Sequence, residues 1–89
     1  MLPSKRLTIT NRRGLHARAS AQFVTCARQF DADIQVHYQG HNVPATSIMG
    51  LMMLTVAVGC EITVTAQGTQ AKQALTALAK LVKERFGED

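Results

Sequence analysis

Three stretches of the chain alternate between apolar and polar residues, and this alternation constrains the possible folds more than any other feature. In each stretch the apolar side chains fall on one side of an extended backbone and the polar side chains on the other. The polar positions are Thr8, Thr10, Gln35, His37, Thr63 and Thr65. Strands that bury only one face are typical of an antiparallel sheet with helices packed on a single side.

Helical spacing of apolar residues separates these strands. A first helix is predicted from about Ala17. Thr46 and Ser47 can cap a short second helix through about Leu54, and Thr69 can cap a third. A short additional strand is expected from His41 to Ala45, and its Pro44 indicates a sheet edge because proline cannot donate a ladder hydrogen bond. The element order β-α-β-β-α-β-α predicts an α+β open-faced sandwich, with a four-stranded antiparallel sheet and three helices on one face.

The size and charge of the chain limit what it can do. Its 89 residues suffice for one domain, residues 1–89, with one hydrophobic layer between the sheet and the helices. Aromatic residues make up only 4% of the sequence, so aliphatic side chains must fill the core. The formal net charge of +4 suits acidic protein partners, phosphates or nucleic acid.

The cysteines and two of the histidines form no recognisable site. Cys26 and Cys60 make no CxxC pair, and His37 and His41 lack a second pair of ligands at zinc-site spacing. The first ten residues contain no apolar stretch of signal-peptide length, and the longest apolar stretch is too short to span a bilayer. We therefore expect a cytoplasmic protein with reduced thiols, no metal and no membrane insertion.

The segment Gly14-Leu15-His16-Ala17-Arg18 contains the most informative chemistry. His16 falls where a loop ends and the first helix begins, and the first N–H groups of a helix have no intrahelical partner and lie at the positive end of its dipole. Such an end binds anions and disfavours a cationic ring, which leaves the neutral imidazole that can attack phosphorus. A phosphoryl group on His16, whose ring is expected to be exposed, would lie on the N–H groups of Ala17 and Arg18. The Arg18 guanidinium could add a charge-assisted contact.

Five segments, TIT, GLHAR, AQFV, SIMGLMML and TVTAQG, follow one another along nearly the whole chain. In this order they resemble the histidine-containing phosphocarrier protein (HPr) family of the phosphoenolpyruvate-dependent phosphotransferase system. The resemblance implies that His16 accepts phosphate at Nδ1 from enzyme I and passes it to IIA components, and that Arg18 is the active-site arginine. It implies a stoichiometric carrier rather than an enzyme, without a cofactor, in a sugar-uptake or a nitrogen-type regulatory branch. A carrier that exposes His16 to two partners in turn is expected to be a monomer.

The resemblance also assigns roles around the second helix. Ser47 matches the site that an HPr serine kinase/phosphorylase modifies, and a phosphate there would add negative charge beside the docking surface. Leu51 and Leu54 are expected in the core. Flexible methionines suit a surface that fits several partners, and the docking residues predicted here are Leu15, Ile48, Met49 and Met52.

Two positions depart from the family pattern. Ala19 stands where the family usually has proline, and we expect a less rigid helix start rather than lost activity, because alanine also favours a helix. Thr46 stands where a basic residue often precedes the serine, which removes one expected contact with an acidic partner.

The alternative is a small basic nucleic-acid-binding domain of ferredoxin-like topology. An RNA-recognition sheet stacks bases on exposed strand aromatics, whereas the exposed strand positions here are threonine, glutamine and histidine. Tyr38 is the one aromatic residue in the predicted strands, and its alternation points inward. A small-molecule-binding regulatory domain of similar topology is a further alternative, but it offers no phosphorylatable histidine at a helix start.

Overall fold

In the computed structural model, which describes residues 2–88, strands and helices follow one another in the predicted order. The strands are β1 (Ser4–Thr8), β2 (Asp33–Tyr38), β3 (His41–Pro44) and β4 (Glu61–Gln67). The helices are α1 (Ala17–Ala27), α2 (Ile48–Met53) and α3 (Ala71–Lys83), and a short 3₁₀ turn over Arg85–Gly87 follows α3. None of the helices in residues 2–88 is long and apolar enough to cross a membrane.

The four strands form one antiparallel sheet in the order β1-β4-β2-β3. Leu7 lies opposite Ile62, and Val36 lies opposite Val64, so the register brings the apolar positions of neighbouring strands onto the same face. The three helices cover that face, and the predicted open-faced sandwich is confirmed. Pro44 belongs to β3 at the edge of the sheet, as its missing N–H predicted.

Aliphatic side chains make up most of the layer between the sheet and the helices, with Phe23 of α1 as its largest fully buried side chain. Leu51 and Leu54 are buried there, which confirms their predicted place in the core. Tyr38 packs against the same core. The opposite face of the sheet is polar, and the described strands place no aromatic side chain on it, so it offers no stacking platform for bases.

Thr69 was predicted to cap α3, and this prediction is wrong. Its hydroxyl donates to the Asp31 carboxylate, and the N-cap position falls on Gln70, whose side-chain oxygen accepts from the Asp31 N–H at 2.7 Å. The cause is a close approach of two loops. A Cβ at Gly68 would lie 2.9 Å from the Ala32 Cα, so the turn before α3 is held against the loop before β2 and its side chains bond across the gap.

Candidate functional site

Helix α1 begins directly after His16, as predicted. His16 is the N-cap, with extended backbone angles of φ −73° and ψ −179°. Its carbonyl accepts from the Ser20 N–H at 2.8 Å, and its ring nitrogen Nδ1 accepts from the Arg18 N–H at 3.3 Å. The imidazole therefore takes the capping position that serine or aspartate more often occupies, and Nδ1 faces the positive end of the helix.

Leu15 is not a docking residue, and the prediction that it is one was wrong. Its side chain is only 3% exposed and belongs to the core. Its N–H donates to the Val56 carbonyl at 3.0 Å, and its own carbonyl accepts from the Ser20 hydroxyl at 3.1 Å. Leu15 thus anchors the loop before α1, and the neighbouring His16 is held at the helix start because this anchor is fixed.

The imidazole of His16 is also more covered than expected. Its side chain is 15% exposed, because the carboxylate of Glu88 lies over it with Oε2 at 2.6 Å from Nε2. A carboxylate can only accept, so Nε2 carries the ring proton in this contact. Nδ1 therefore keeps its lone pair, and the Arg18 N–H donates to it on the other side of the ring.

Two residues of this site, Asn11 and Glu88, were missed by sequence reasoning. Asn11 is fully buried and donates from Nδ2 to Oε1 of Glu88 at 3.2 Å. Hydrogen bonding from His16 lowers the pKa of Glu88 below its ordinary value, although burial opposes this shift, and Arg13 lowers it further. No sequence signal could have found Glu88, because it lies 72 residues from its histidine partner.

A hollow of about 290 Å³ opens beside His16. Arg13 and Met52 line it together with Thr55, whose φ of +52° is unusual for a β-branched residue. Arg18 instead lines a separate groove between α1 and α3. Arg13, which the sequence reasoning did not single out, therefore shares a hollow with the His16 ring.

Helix α2 follows the predicted pattern at its start and exposes a wider apolar surface than expected. Ser47 is its N-cap, and the serine hydroxyl accepts from the Gly50 N–H at 2.9 Å. Four exposed side chains of this helix, here called the α2 patch, are Ile48 (40%), Met49 (68%), Met52 (37%) and Met53 (76%). Met53 was not among the predicted docking residues. Since Met52 also lines the hollow beside His16, the α2 patch adjoins the imidazole.

Other chemistry-bearing side chains do not converge. Within residues 2–88 no group of three histidine, cysteine, aspartate or glutamate residues could hold a metal ion. Cys26 and Cys60 are free and half-buried, and burial raises the pKa of the Cys26 thiol, which disfavours the reactive thiolate. His37 bonds the Thr65 hydroxyl at 3.0 Å on the polar face of the sheet.

A family model, sequence relatives and a solved structure all place this chain in the same family. The family model described as "PTS HPr component phosphorylation site" matches residues 3–84. The phosphocarrier protein HPr of Cupriavidus necator is 42% identical over 91% of each chain, and the phosphocarrier protein NPr of Shewanella violacea is 38% identical over 94% of this chain and 92% of that one. The crystal structure of HPr-C-His from Thermoanaerobacter tengcongensis superposes with a TM-score of 0.95, at 38% identity over 99% of both chains.

Proposed function

This chain belongs to the HPr family of phosphocarrier proteins of the phosphotransferase system, and we propose that His16 is the residue on which it carries the phosphoryl group. Enzyme I is the proposed donor and IIA components are the proposed acceptors. The chain is then a stoichiometric carrier rather than an enzyme, because it is consumed and regenerated at each transfer. It works as a monomer in the cytoplasm, where it meets its two partners in turn.

The observation that carries this proposal is the orientation of the His16 ring. Nε2 holds the proton against Glu88, while Nδ1 keeps a lone pair at the start of α1. Attack by Nδ1 on phosphorus forms the new N–P bond as the donor's bond to phosphorus breaks, and no proton has to leave Nδ1 first. The transferred oxygens then lie at a helix N-terminus, where the N–H groups of Ala17 and Arg18 can donate to them.

In this proposal, the Arg18 side chain stabilises phosphorylated His16 and makes no contact that stabilises the unphosphorylated ring. Its side chain is exposed and lines the groove between α1 and α3, so it is free to rotate toward a phosphoryl group on His16. A guanidinium–phosphate contact is charge-assisted and can be bidentate, and it therefore favours the phosphorylated ring over the free one.

The α2 patch is the proposed docking surface for both partners. An apolar surface beside a group that must be transferred lets a partner bury methionine side chains while its own reactive group reaches Nδ1. Ser47 is the proposed regulatory site of a serine kinase. A phosphate at this N-cap is compatible with the fold, because the helix N-terminus favours negative charge, but it would repel an acidic partner from the α2 patch.

Labelling from phosphoenolpyruvate tests the proposal. Wild-type protein and three variants, His16→Ala, His37→Ala and His41→Ala, are incubated with enzyme I and labelled phosphoenolpyruvate. We expect the label to be lost only in His16→Ala, and to be acid-labile and base-stable like other phosphoramidates. His16→Ala also removes an N-cap, which costs about 0.5–2 kcal/mol, so unfolding curves must show that this variant is still folded.

A label retained in His16→Ala, or lost in either control variant, would contradict the assignment. The phosphorylated wild type is then presented with IIA components of the sugar-uptake and nitrogen-type branches. The branch is assigned by whichever component removes the label from His16.

A further inference from the structure

The carboxylate of Glu88 bridges two groups that lie far apart in the sequence. One oxygen lies 2.6 Å from Nε2 of His16, and the other accepts from Nδ2 of Asn11 at 3.2 Å. The side chains of His16 and Glu88 are 15% and 18% exposed, so solvent screens this contact less than it screens a surface ion pair.

The buried amide of Asn11 holds one end of this bridge. Its Nδ2 donates to the Gly14 carbonyl at 2.8 Å as well as to Glu88, so both amide hydrogens are used. Its Oδ1 is buried and has no hydrogen-bond partner within the part of the chain that the structure describes. Because both N–H groups of the Asn11 amide donate to oxygen atoms, those bonds set the orientation of the amide. This orientation in turn fixes where the Glu88 carboxylate can lie.

The segment after α3 holds the other end. Arg85, Phe86 and Gly87 have φ values of +56°, +54° and +75°, so three successive residues take the left-handed conformation. This conformation is unfavourable for the first two, which are not glycine. Phe86 is buried in the core and keeps the turn in place, and the turn reverses the chain so that Glu88 returns over His16. Backbone strain of this kind persists only where surrounding contacts maintain it.

The bridge determines which ring nitrogen of His16 is available. Glu88 is ionised at neutral pH, since its pKa is lowered mainly by the hydrogen bond from His16. The carboxylate therefore requires the proton on Nε2, and the Arg18 N–H requires the lone pair on Nδ1. The charged side chain of Arg13 faces this pair: it lowers the pKa of Glu88 and lines the hollow beside His16.

We propose that Glu88 is a positioning residue for phosphoryl transfer, acting through the Nε2–H of His16. It keeps the ring in the tautomer whose Nδ1 can attack, and it neutralises the positive charge that the ring gains. In the transfer, the Nδ1 lone pair forms the bond to phosphorus, the donor's bond to phosphorus breaks and its electron pair stays with the donor. The proton on Nε2 remains, so the phosphorylated ring is a cation hydrogen-bonded to a carboxylate. This role rests on the proposed function of His16.

Two variants separate the parts of this role. Glu88→Ala removes both the acceptor and the charge, whereas Glu88→Gln keeps an acceptor and removes only the charge. Glu84→Ala is the matched control, because Glu84 is an exposed glutamate four residues earlier in the same segment. Urea unfolding of all three shows whether the fold is retained.

The first readout is nitrogen NMR of the His16 ring in unphosphorylated protein. Wild type and Glu84→Ala are expected to show the Nε2–H tautomer, and Glu88→Ala a mixture of both tautomers. The second readout is phosphorus NMR of the phosphorylated protein. Loss of the neighbouring carboxylate charge should move the phosphohistidine signal in Glu88→Ala and Glu88→Gln away from its position in Glu84→Ala.

The third readout is the rate of acceptance from enzyme I. It should fall about tenfold in Glu88→Ala, the lower end for a partly exposed charge-assisted hydrogen bond, with partial recovery in Glu88→Gln. Tautomer populations and phosphorus signals equal to those of Glu84→Ala would overturn the proposal. If wild-type His16 takes no label, the proposed function fails instead, while the tautomer measurement on unphosphorylated protein still tests Glu88.

Discussion

Replacing Gly14 by alanine should destabilise the protein far more than the same change at another glycine with the same backbone conformation. Gly14 has φ +67°, and a Cβ there would lie 2.3 Å from the Val56 carbonyl oxygen. Real Cβ atoms essentially never come within 3.0 Å of another heavy atom, so the loop before α1 must move by at least about 0.7 Å. Gly40 has φ +82° and open space around it, which makes Gly40→Ala the matched control.

The expected magnitudes follow from these contacts. Both variants place alanine in the left-handed region, at about 1–2 kcal/mol each. Only Gly14→Ala also displaces the loop and weakens the 3.0 Å bond between the Leu15 N–H and the Val56 carbonyl, worth about 0.5–1.5 kcal/mol, with a further cost if these buried groups stay unpaired. We expect Gly14→Ala to lose about 2 kcal/mol more than Gly40→Ala, or roughly 8–16 °C in Tm for a domain of this size.

Urea unfolding followed by circular dichroism measures this difference, provided that both variants keep the wild-type dependence on urea. Acceptance of phosphate from enzyme I should fall in Gly14→Ala, because the displaced loop carries His16, and should be unchanged in Gly40→Ala. Equal losses of stability in the two variants would refute the reasoning. The carbonyl of Val56 would then be able to move aside without cost, and the loop would not be held by this approach.

Four further predictions concern the site and its surroundings. Arg18→Ala should slow acceptance of phosphate about tenfold by loss of one charge-assisted contact, measured by stopped flow, and an unchanged rate would mean that the backbone N–H groups suffice. Met49→Glu should weaken binding to enzyme I in calorimetry with Tm nearly unchanged, since the side chain is 68% exposed, and a large fall in Tm would assign Met49 to the core. Ser47→Asp should keep its Tm, because a carboxylate can replace the hydroxyl that accepts from the Gly50 N–H, but it should lose most of its acceptance of phosphate from enzyme I. Ser47→Ala should lose about 1 kcal/mol of stability and keep its acceptance of phosphate. Acceptance at the wild-type rate in Ser47→Asp would contradict the regulatory role. The hydrogen bond from His16 lowers the pKa of Glu88, so the stabilising effect of this carboxylate is complete above its unfolded-state pKa and is lost as the pH falls through the folded-state pKa. In urea unfolding, the stability difference between wild type and Glu88→Ala should therefore shrink as the pH is lowered from neutral into the acid range.

The elements of the fold could be predicted from the sequence because each depends on local spacing. The alternation around Val36 and Val64 identifies strands with one buried face, and the polar side of those strands is the side without helices. The start of α1 after His16 and the cap of α2 at Ser47 were also predictable, since an N-cap is a matter of three or four consecutive residues. Thr69 shows the limit of this reasoning, because a loop distant in sequence competed for its hydroxyl.

The sequence alone determined which chemistry is present: a histidine followed by an arginine at a helix start, with an apolar helix elsewhere in the chain. Only the tertiary structure decided how these groups are arranged. It buried Leu15, extended the α2 patch to Met53, and brought Glu88 over His16. These outcomes depend on where the chain reverses and which residues meet across the fold. Local periodicity contains no information about contacts between residues separated by most of the chain.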